Sequence, residues 1–289
     1  MAQVERVPLP PPVETRGSSR SASLLKRILS IVILLPVFLA IVMAGPVWLF
    51  GAMIVLVAGL AQWEITGMFE HAGVRTYRII GLLGGILVTA SFGLPESERV
   101  VFTGVLLAML AASLWRPHGE AIGWQPLATT VLAVCYVNWL LGYGFWLRDL
   151  PSGREWVLLL IWVTWLGETA AYLVGSTVGR HRLAPVISPN KTVEGAVAQF
   201  CVSILAAVVG QAWFFGALPL EHAIAVGALL GIVGQIGDLV ESALKRSAGT
   251  KDTGRLIPGH GGMLDRIDSL LFNTPVLFYY AAHGRILTS

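Results

Sequence analysis

The sequence predicts an all-α integral membrane protein of about nine transmembrane helices, with its N-terminus in the cytoplasm. Three observations lead there. Mean hydropathy is +0.72 and 55% of the 289 residues are hydrophobic, more apolar surface than a water-soluble domain can hide. Apolar runs of bilayer-spanning length recur along the chain. Nine such runs also sort the charges: with the N-terminus inside, only Arg99, Arg148, Arg154 and Arg285 of the 20 Lys and Arg fall outside, which is the bias of cytoplasmic loops.

Residues 1–24 include "VPLPPPVETRGSSRS", a polar and proline-rich composition that predicts a disordered tail. The apolar run behind it lacks the small-residue cleavage site of a signal peptide. Runs over 25–44, 46–63, 79–93, 100–115 and 126–146 predict helices, so that 25–150 forms an N-terminal group of transmembrane helices. Further runs over 156–174, 196–215, 220–241 and 269–284 belong to a C-terminal transmembrane region, 151–289, expected to be the catalytic part. Its two charged loops, 175–195 and 242–268, both fall on the cytoplasmic side. Gly227, Gly231, Gly234 and Gly237 form a stripe suited to close helix packing. Cys135 and Cys201 lie in apolar runs, which predicts buried packing rather than a disulfide or a thiolate metal cluster. No repeat splits the chain into the inverted halves of many transporters.

Chemistry is concentrated in a chain that is only 13% charged. In "GQIGDLVESALKR", Asp238, Glu241 and Lys245 are spaced i, i+3 and i+7, so a helix places them on one face with Ser242 beside them. A carboxylate near bilayer depth costs roughly 2.5 to 3.5 kcal/mol and turns toward a polar cavity, an ion or a partner charge; pairing with Lys245 is the simplest such partner. In "IPGHGGMLDRID", Pro258 and the glycines around His260 exclude a continuous helix and predict a tight loop whose N–H groups approach an anion. Asp265 and Asp268, at i and i+3, are expected on one face of the helix that opens the last span. Hard oxygen donors so placed suit Mg²⁺, which keeps waters and takes phosphate oxygens for the rest. Lys245, Arg246, Lys251, Arg255 and Arg266 are at hand to neutralise phosphate charge. Helix capping and a positive-inside loop explain each feature singly, but poorly explain their occurrence together.

Upstream, Glu168 sits within the sixth predicted span with Tyr172 on the same face. "SPNKTVEG" places Ser188, Lys191, Thr192 and Glu194 in a loop, with Pro189 discouraging helix before it. Ser, Lys and Thr are suitable phosphate ligands; the alternative is a turn followed by a helix with Thr192 as its cap. Neither G-x-x-x-x-G-K-[ST] nor a G-x-G-x-x-G between strand and helix is present, which leaves a P-loop or Rossmann unit unsupported. His118, His181 and His222 show no metal-ligand spacing.

The run from Ser242 to Asp268, "SALKRSAGTKDTGRLIPGHGGMLDRID", closely resembles the signature of the phosphatidate cytidylyltransferase family, also called CDP-diacylglycerol synthases. Its order is serine, a Lys-Arg pair, Lys-Asp, His-Gly-Gly and Asp-Arg-x-Asp. "GDLVES" and "SPNKTVEG" are similar to family motifs as well, so the resemblance covers residues 160–275 or so. It implies a multi-pass enzyme of the bacterial cytoplasmic membrane that converts CTP and phosphatidate to CDP-diacylglycerol and pyrophosphate. Mg²⁺ is the implied cofactor, with a second cation and a homodimer left open; membrane lipids are partners and nucleic acid is not. Asp238, Asp265 and Asp268 are the implied metal ligands, with Glu241 supporting them. Glu168 stands where the family commonly carries aspartate, and its extra methylene shifts any ligand oxygen outward. Lys245, Arg246, Lys251 and Arg266 are expected at the phosphates, joined by Ser188, Lys191, Thr192 and Ser242, while His260, Gly261 and Gly262 shape the turn beside them. A different lipid phosphate as acceptor is the nearest alternative. From another class, an ion-coupled transporter would use Asp238 and Glu168 to bind its cation.

Overall fold

The computed structural model describes residues 36–114, 124–254 and 261–283. The tail over 1–24, Arg255, Pro258 and His260 lie outside these residues. Helix is present at every predicted run: α1 (36–44), α2 (Val47–His71), α3 (Arg78–Ser91), α4 (Glu98–Ala112) and α5 (Gln125–Ala133). A π-helical stretch, Val134–Trp139, carries α5 into α6 (Leu140–Asp149), followed by α7 (Gly153–Val178), α8 (Val193–Trp213), α9 (Leu220–Ser247) and α10 (Asp268–His283). By length and composition, α2, the continuous α5–α6, α7, α8 and α9 can each cross a membrane, and α3 is a shorter apolar helix. Leu56, Leu87, Leu107, Leu173 and Leu205 face outward and exposed, a surface that lipid covers better than water does.

Three expectations need correction. The second run was expected to end at residue 63, where Glu64 interrupts the apolar composition; α2 instead continues to His71 with Glu64 buried. The loop around "SPNKTVEG" is an antiparallel hairpin of β1 (Arg182–Ala184) and β2 (Ser188–Thr192), pairing Arg182 with Thr192 and Ala184 with Ser188 across an irregularity. Among the described residues the fold is therefore helical with one small ribbon. Pro189 fits there because a two-stranded ribbon leaves each strand an unpaired edge. Cys201 is exposed and Cys135 half-buried, neither in a disulfide. An apolar run in a membrane helix does not tell the inward face from the outward one, so the expected burial fails for Cys201.

The main core joins α2 to α7, α8, α9 and α10 through Phe50, Ile65, Trp156, Ala207, Leu230 and Leu271, with Phe215 just beyond α8. Trp156 meets Phe215 edge-on with ring centroids 4.8 Å apart. A smaller core surrounds Phe92, Met109 and Tyr143. Beside it, Gln62, Thr89 and Asn138 are 0% exposed. Gln62 Nε2 donates to the Gly81 carbonyl at 2.7 Å, and Thr89 Oγ1 to the Asn138 carbonyl at 3.2 Å.

The glycine stripe of α9 acts in packing, as expected, and divides between two neighbours. A Cβ on Gly227 would stand 2.5 Å from Ile204 Cα of α8, and one on Gly237 only 2.8 Å from the Asp268 carbonyl of α10. Close backbone approach on both sides fixes α9 between α8 and α10.

Candidate active site

The last turns of α9 present Asp238, Glu241, Ser242 and Lys245 on one face, as their spacing predicts. Across the Gly237 contact, α10 opens with Asp268, whose Oδ1 accepts from the Ser269 N–H at 2.7 Å. One carboxylate oxygen from each of Asp238, Glu241 and Asp268 lies within 4.8 Å of the other two. Glu241 is 0% exposed. From β2, Lys191 Nζ reaches Asp238 Oδ2 at 2.7 Å. Lys245 Nζ pairs with Glu241 and, at 2.8 Å, with Asp265 Oδ1. Glu168 of α7 stands within electrostatic reach of Asp238, Lys191, Arg266 and Asp268.

Asp265 does not share a helix face with Asp268. Leu264–Arg266 is a 3₁₀ turn, and Ile267 (φ −123°, ψ 4°) leaves helical geometry before α10 begins, which breaks the expected i, i+3 relation. Asp265 accordingly meets the acidic trio from its own turn, beside Glu241, and not along the face of α10. Its Oδ2 accepts from Thr253 Oγ1 at 2.9 Å and from the Gly262 N–H at 3.2 Å, while its Oδ1 takes Lys245. Burial alone would push this carboxyl upward; the ammonium of Lys245 and the donated hydrogen bonds outweigh it and hold the carboxyl below its ordinary range. Gly261 has φ +84°, in the left-handed region that glycine adopts without strain.

The other expected residues are distributed around this centre. Arg246 Nε donates to the Ile187 carbonyl at 3.1 Å, tying the hairpin to the end of α9. Ser242 Oγ lies 3.5 Å from Asp238 Oδ1. Thr192 accepts from the Gly195 N–H at 3.1 Å and so caps α8. Lys251, Arg266 and Tyr172 are exposed, and Ser188 opens β2. The Glu194 carboxylate accepts from the N–H groups of Arg180 and His181 and meets His181 Nδ1 at 2.6 Å, bracing the entry to the hairpin's first strand.

Two contributors had gone unnoticed in the sequence, Glu64 and Thr253. Glu64 Oε2 accepts from the Leu264 N–H at 2.9 Å, so α2 reaches the turn that carries Asp265. The signal was available, since a glutamate inside an apolar helix is costly enough to demand a reason.

Three buried or half-buried carboxylates repel one another unless cations intervene, and their oxygens come from two separate helices. Such a set of hard donors suits a divalent cation such as Mg²⁺. Lysines on either side, Lys191 and Lys245, leave the arrangement able to receive a polyanion as well.

A model of the cytidylyltransferase family matches residues 25–283. Among curated proteins, the chain is similar to phosphatidate cytidylyltransferases of staphylococci. That of Staphylococcus epidermidis (strain RP62A) is 33% identical over 253 residues, covering 87% of this chain and 96% of the relative. Those of Staphylococcus haemolyticus (33%) and Staphylococcus aureus strain COL (32%) align over 257 residues with the same coverage of both partners.

Proposed function

Because this chain belongs to the cytidylyltransferase family, we propose that its acidic site joins CTP to phosphatidate, releasing pyrophosphate and forming CDP-diacylglycerol. It is a nucleotidyltransferase of phospholipid biosynthesis. The observation that carries the site assignment is the convergence of Asp238, Glu241 and Asp268 within 4.8 Å, flanked by Lys191 and Lys245.

In this reading a phosphatidate oxygen attacks the α-phosphorus of CTP in line, the bond to the β-phosphate oxygen breaks, and pyrophosphate leaves with the electron pair. Both reactants are anions, so positioning and charge screening supply the catalysis and no protein nucleophile is needed. Asp238 and Asp268 would hold Mg²⁺ with Glu241, with Asp265 and Glu168 next to them. Bound there, the ion would neutralise phosphate charge as the reactants meet. Lys191, Lys245, Arg246, Lys251 and Arg266 would contact phosphates together with Ser188 and Ser242. Thr192, by capping α8, would fix the strand from which Lys191 extends. His260, Gly261 and Gly262 would shape the turn beside the leaving group.

The same reading puts nine spans in a bacterial cytoplasmic membrane, N-terminus and charged loops inside, so that CTP arrives from the cytoplasm while the acyl chains stay in the bilayer. A homodimer is compatible with it. The test is release of labelled pyrophosphate from CTP, dependent on phosphatidate and Mg²⁺, by purified wild type and Asp265→Asn. Loss of about a hundredfold or more is expected, the scale of removing one group that stabilises transition-state charge. Equal turnover with a polyprenyl phosphate would reassign the acceptor, and cation flux in proteoliposomes without nucleotide turnover would overturn the enzyme reading.

A further inference from the structure

We propose that Glu64, a buried carboxylate of the N-terminal helix α2, is the positioning residue that docks the turn carrying Asp265 and so sets the distance between that turn and the acidic trio. The inference rests on the function proposed above and extends it to a part of the chain with no other role in the site. Glu64 is 4% exposed. A carboxylate in such surroundings persists only where donors meet it, and the Leu264 N–H does so at 2.9 Å.

The turn is also shaped around this side chain. A Cβ on Gly254 would stand 2.5 Å from Glu64 Oε1, and one on Gly262 would stand 2.8 Å from Oε2. Glycines on opposite sides of 255–260 thus approach the same carboxylate so closely that a methyl group at either would displace it. From there the contacts run inward. Gly262 N–H and Thr253 Oγ1 donate to Asp265 Oδ2, Asp265 Oδ1 takes Lys245, and Lys245 pairs with Glu241 of the trio. Glu64 itself is not among the trio, so it acts through the turn and not on the substrates.

The experiment uses the full-length protein in detergent micelles with CTP, phosphatidate and Mg²⁺, comparing wild type with Glu64→Ala and Glu64→Gln. Glu64→Ala should accelerate amide hydrogen exchange over 253–266 by at least about fivefold, the scale of stranding a buried N–H, with α8 unchanged. Its kcat should fall at least about tenfold and its Mg²⁺ half-saturation should rise severalfold, because the turn no longer holds Asp265 in place. Glu64→Gln keeps an acceptor oxygen and should recover most of both. Unchanged exchange over 253–266 would overturn the proposal, as would a loss of turnover that merely follows the folded fraction with Mg²⁺ half-saturation intact, or a Gln variant as impaired as Ala. Should Glu64→Ala fail to fold, Gly254→Ala, whose methyl would press on the Glu64 carboxylate, must give the same Mg²⁺ shift or the proposal falls. A wild type that releases no pyrophosphate would refute the functional reading, while the exchange comparison would still decide the role of Glu64.

Discussion

Two groups of buried polar side chains sit at opposite ends of this chain, and they differ in charge. Gln62, Thr89 and Asn138 in the N-terminal helices are neutral; Gln62 donates to the Gly81 carbonyl and Thr89 to the Asn138 carbonyl, which ties α2 to α3 and α3 to the π-helical stretch. Asp238, Glu241, Asp265 and Asp268 in the C-terminal region are ionisable; Lys191 meets Asp238, and Lys245 meets Glu241 and Asp265. A neutral amide or hydroxyl is tolerable at depth for about 1 to 3 kcal/mol when imperfectly paired, whereas an isolated charge is not. The contrast separates helix adhesion from the proposed chemistry: the first group holds helices together, while the second gathers at helix ends, where the proposed cation and polyphosphate would bind.

The largest effect that could break this contrast is catalytic. Asp238→Asn and Asp268→Asn should each lower pyrophosphate release by about a hundredfold or more while the protein still purifies as a folded species. Turnover within tenfold of wild type for both would place the chemistry elsewhere. Next, Lys245→Met leaves Glu241 and Asp265 without their shared ammonium, and breaking a buried pair in this way should cost about 3 kcal/mol or more, read as a lower thermal midpoint. An unchanged midpoint would mean that the pair is not buried in solution. In the neutral group, Gly85→Ala would bring a Cβ to 2.2 Å from Gln62 Oε1 and 2.6 Å from Asn138 Oδ1. Overpacking of that kind should cost about 1 to 3 kcal/mol with turnover per folded molecule unchanged; a lost activity there would erase the distinction between the two groups. Smallest of all, Cys201→Ser on the outer face of α8 should shift stability by no more than about 0.5 kcal/mol, since it touches neither group.

Much of this was readable from residue order. Helix positions followed from apolar runs because a bilayer-sized stretch is a strong signal, and the shared face of Asp238, Glu241 and Lys245 followed from helical periodicity alone. What was missed depended on contacts between distant segments. Nothing near Glu64 in sequence shows that its partner is the amide of Leu264, and its charge ended the apolar run early. The hairpin was hidden because "SPNKT" carries proline and polar residues that read as loop, while its order comes from Glu194, Arg246 and the cap at Thr192. The break at Ile267 that parts Asp265 from Asp268 had no local marker either: "LDRID" is equally compatible with a single helical turn, and the pull of Thr253 and Lys245 on Asp265 decides against it.

If the acidic trio holds the proposed cation, the contact at Gly237 has a consequence for which ions fit there. Main chain abuts main chain there, so the gap between the carboxylates of α9 and α10 cannot be widened by swapping rotamers. A jaw with a fixed hinge grades its contents by radius, and the addition of one methyl group at that hinge would alter the grading while leaving every ligand in the sequence untouched.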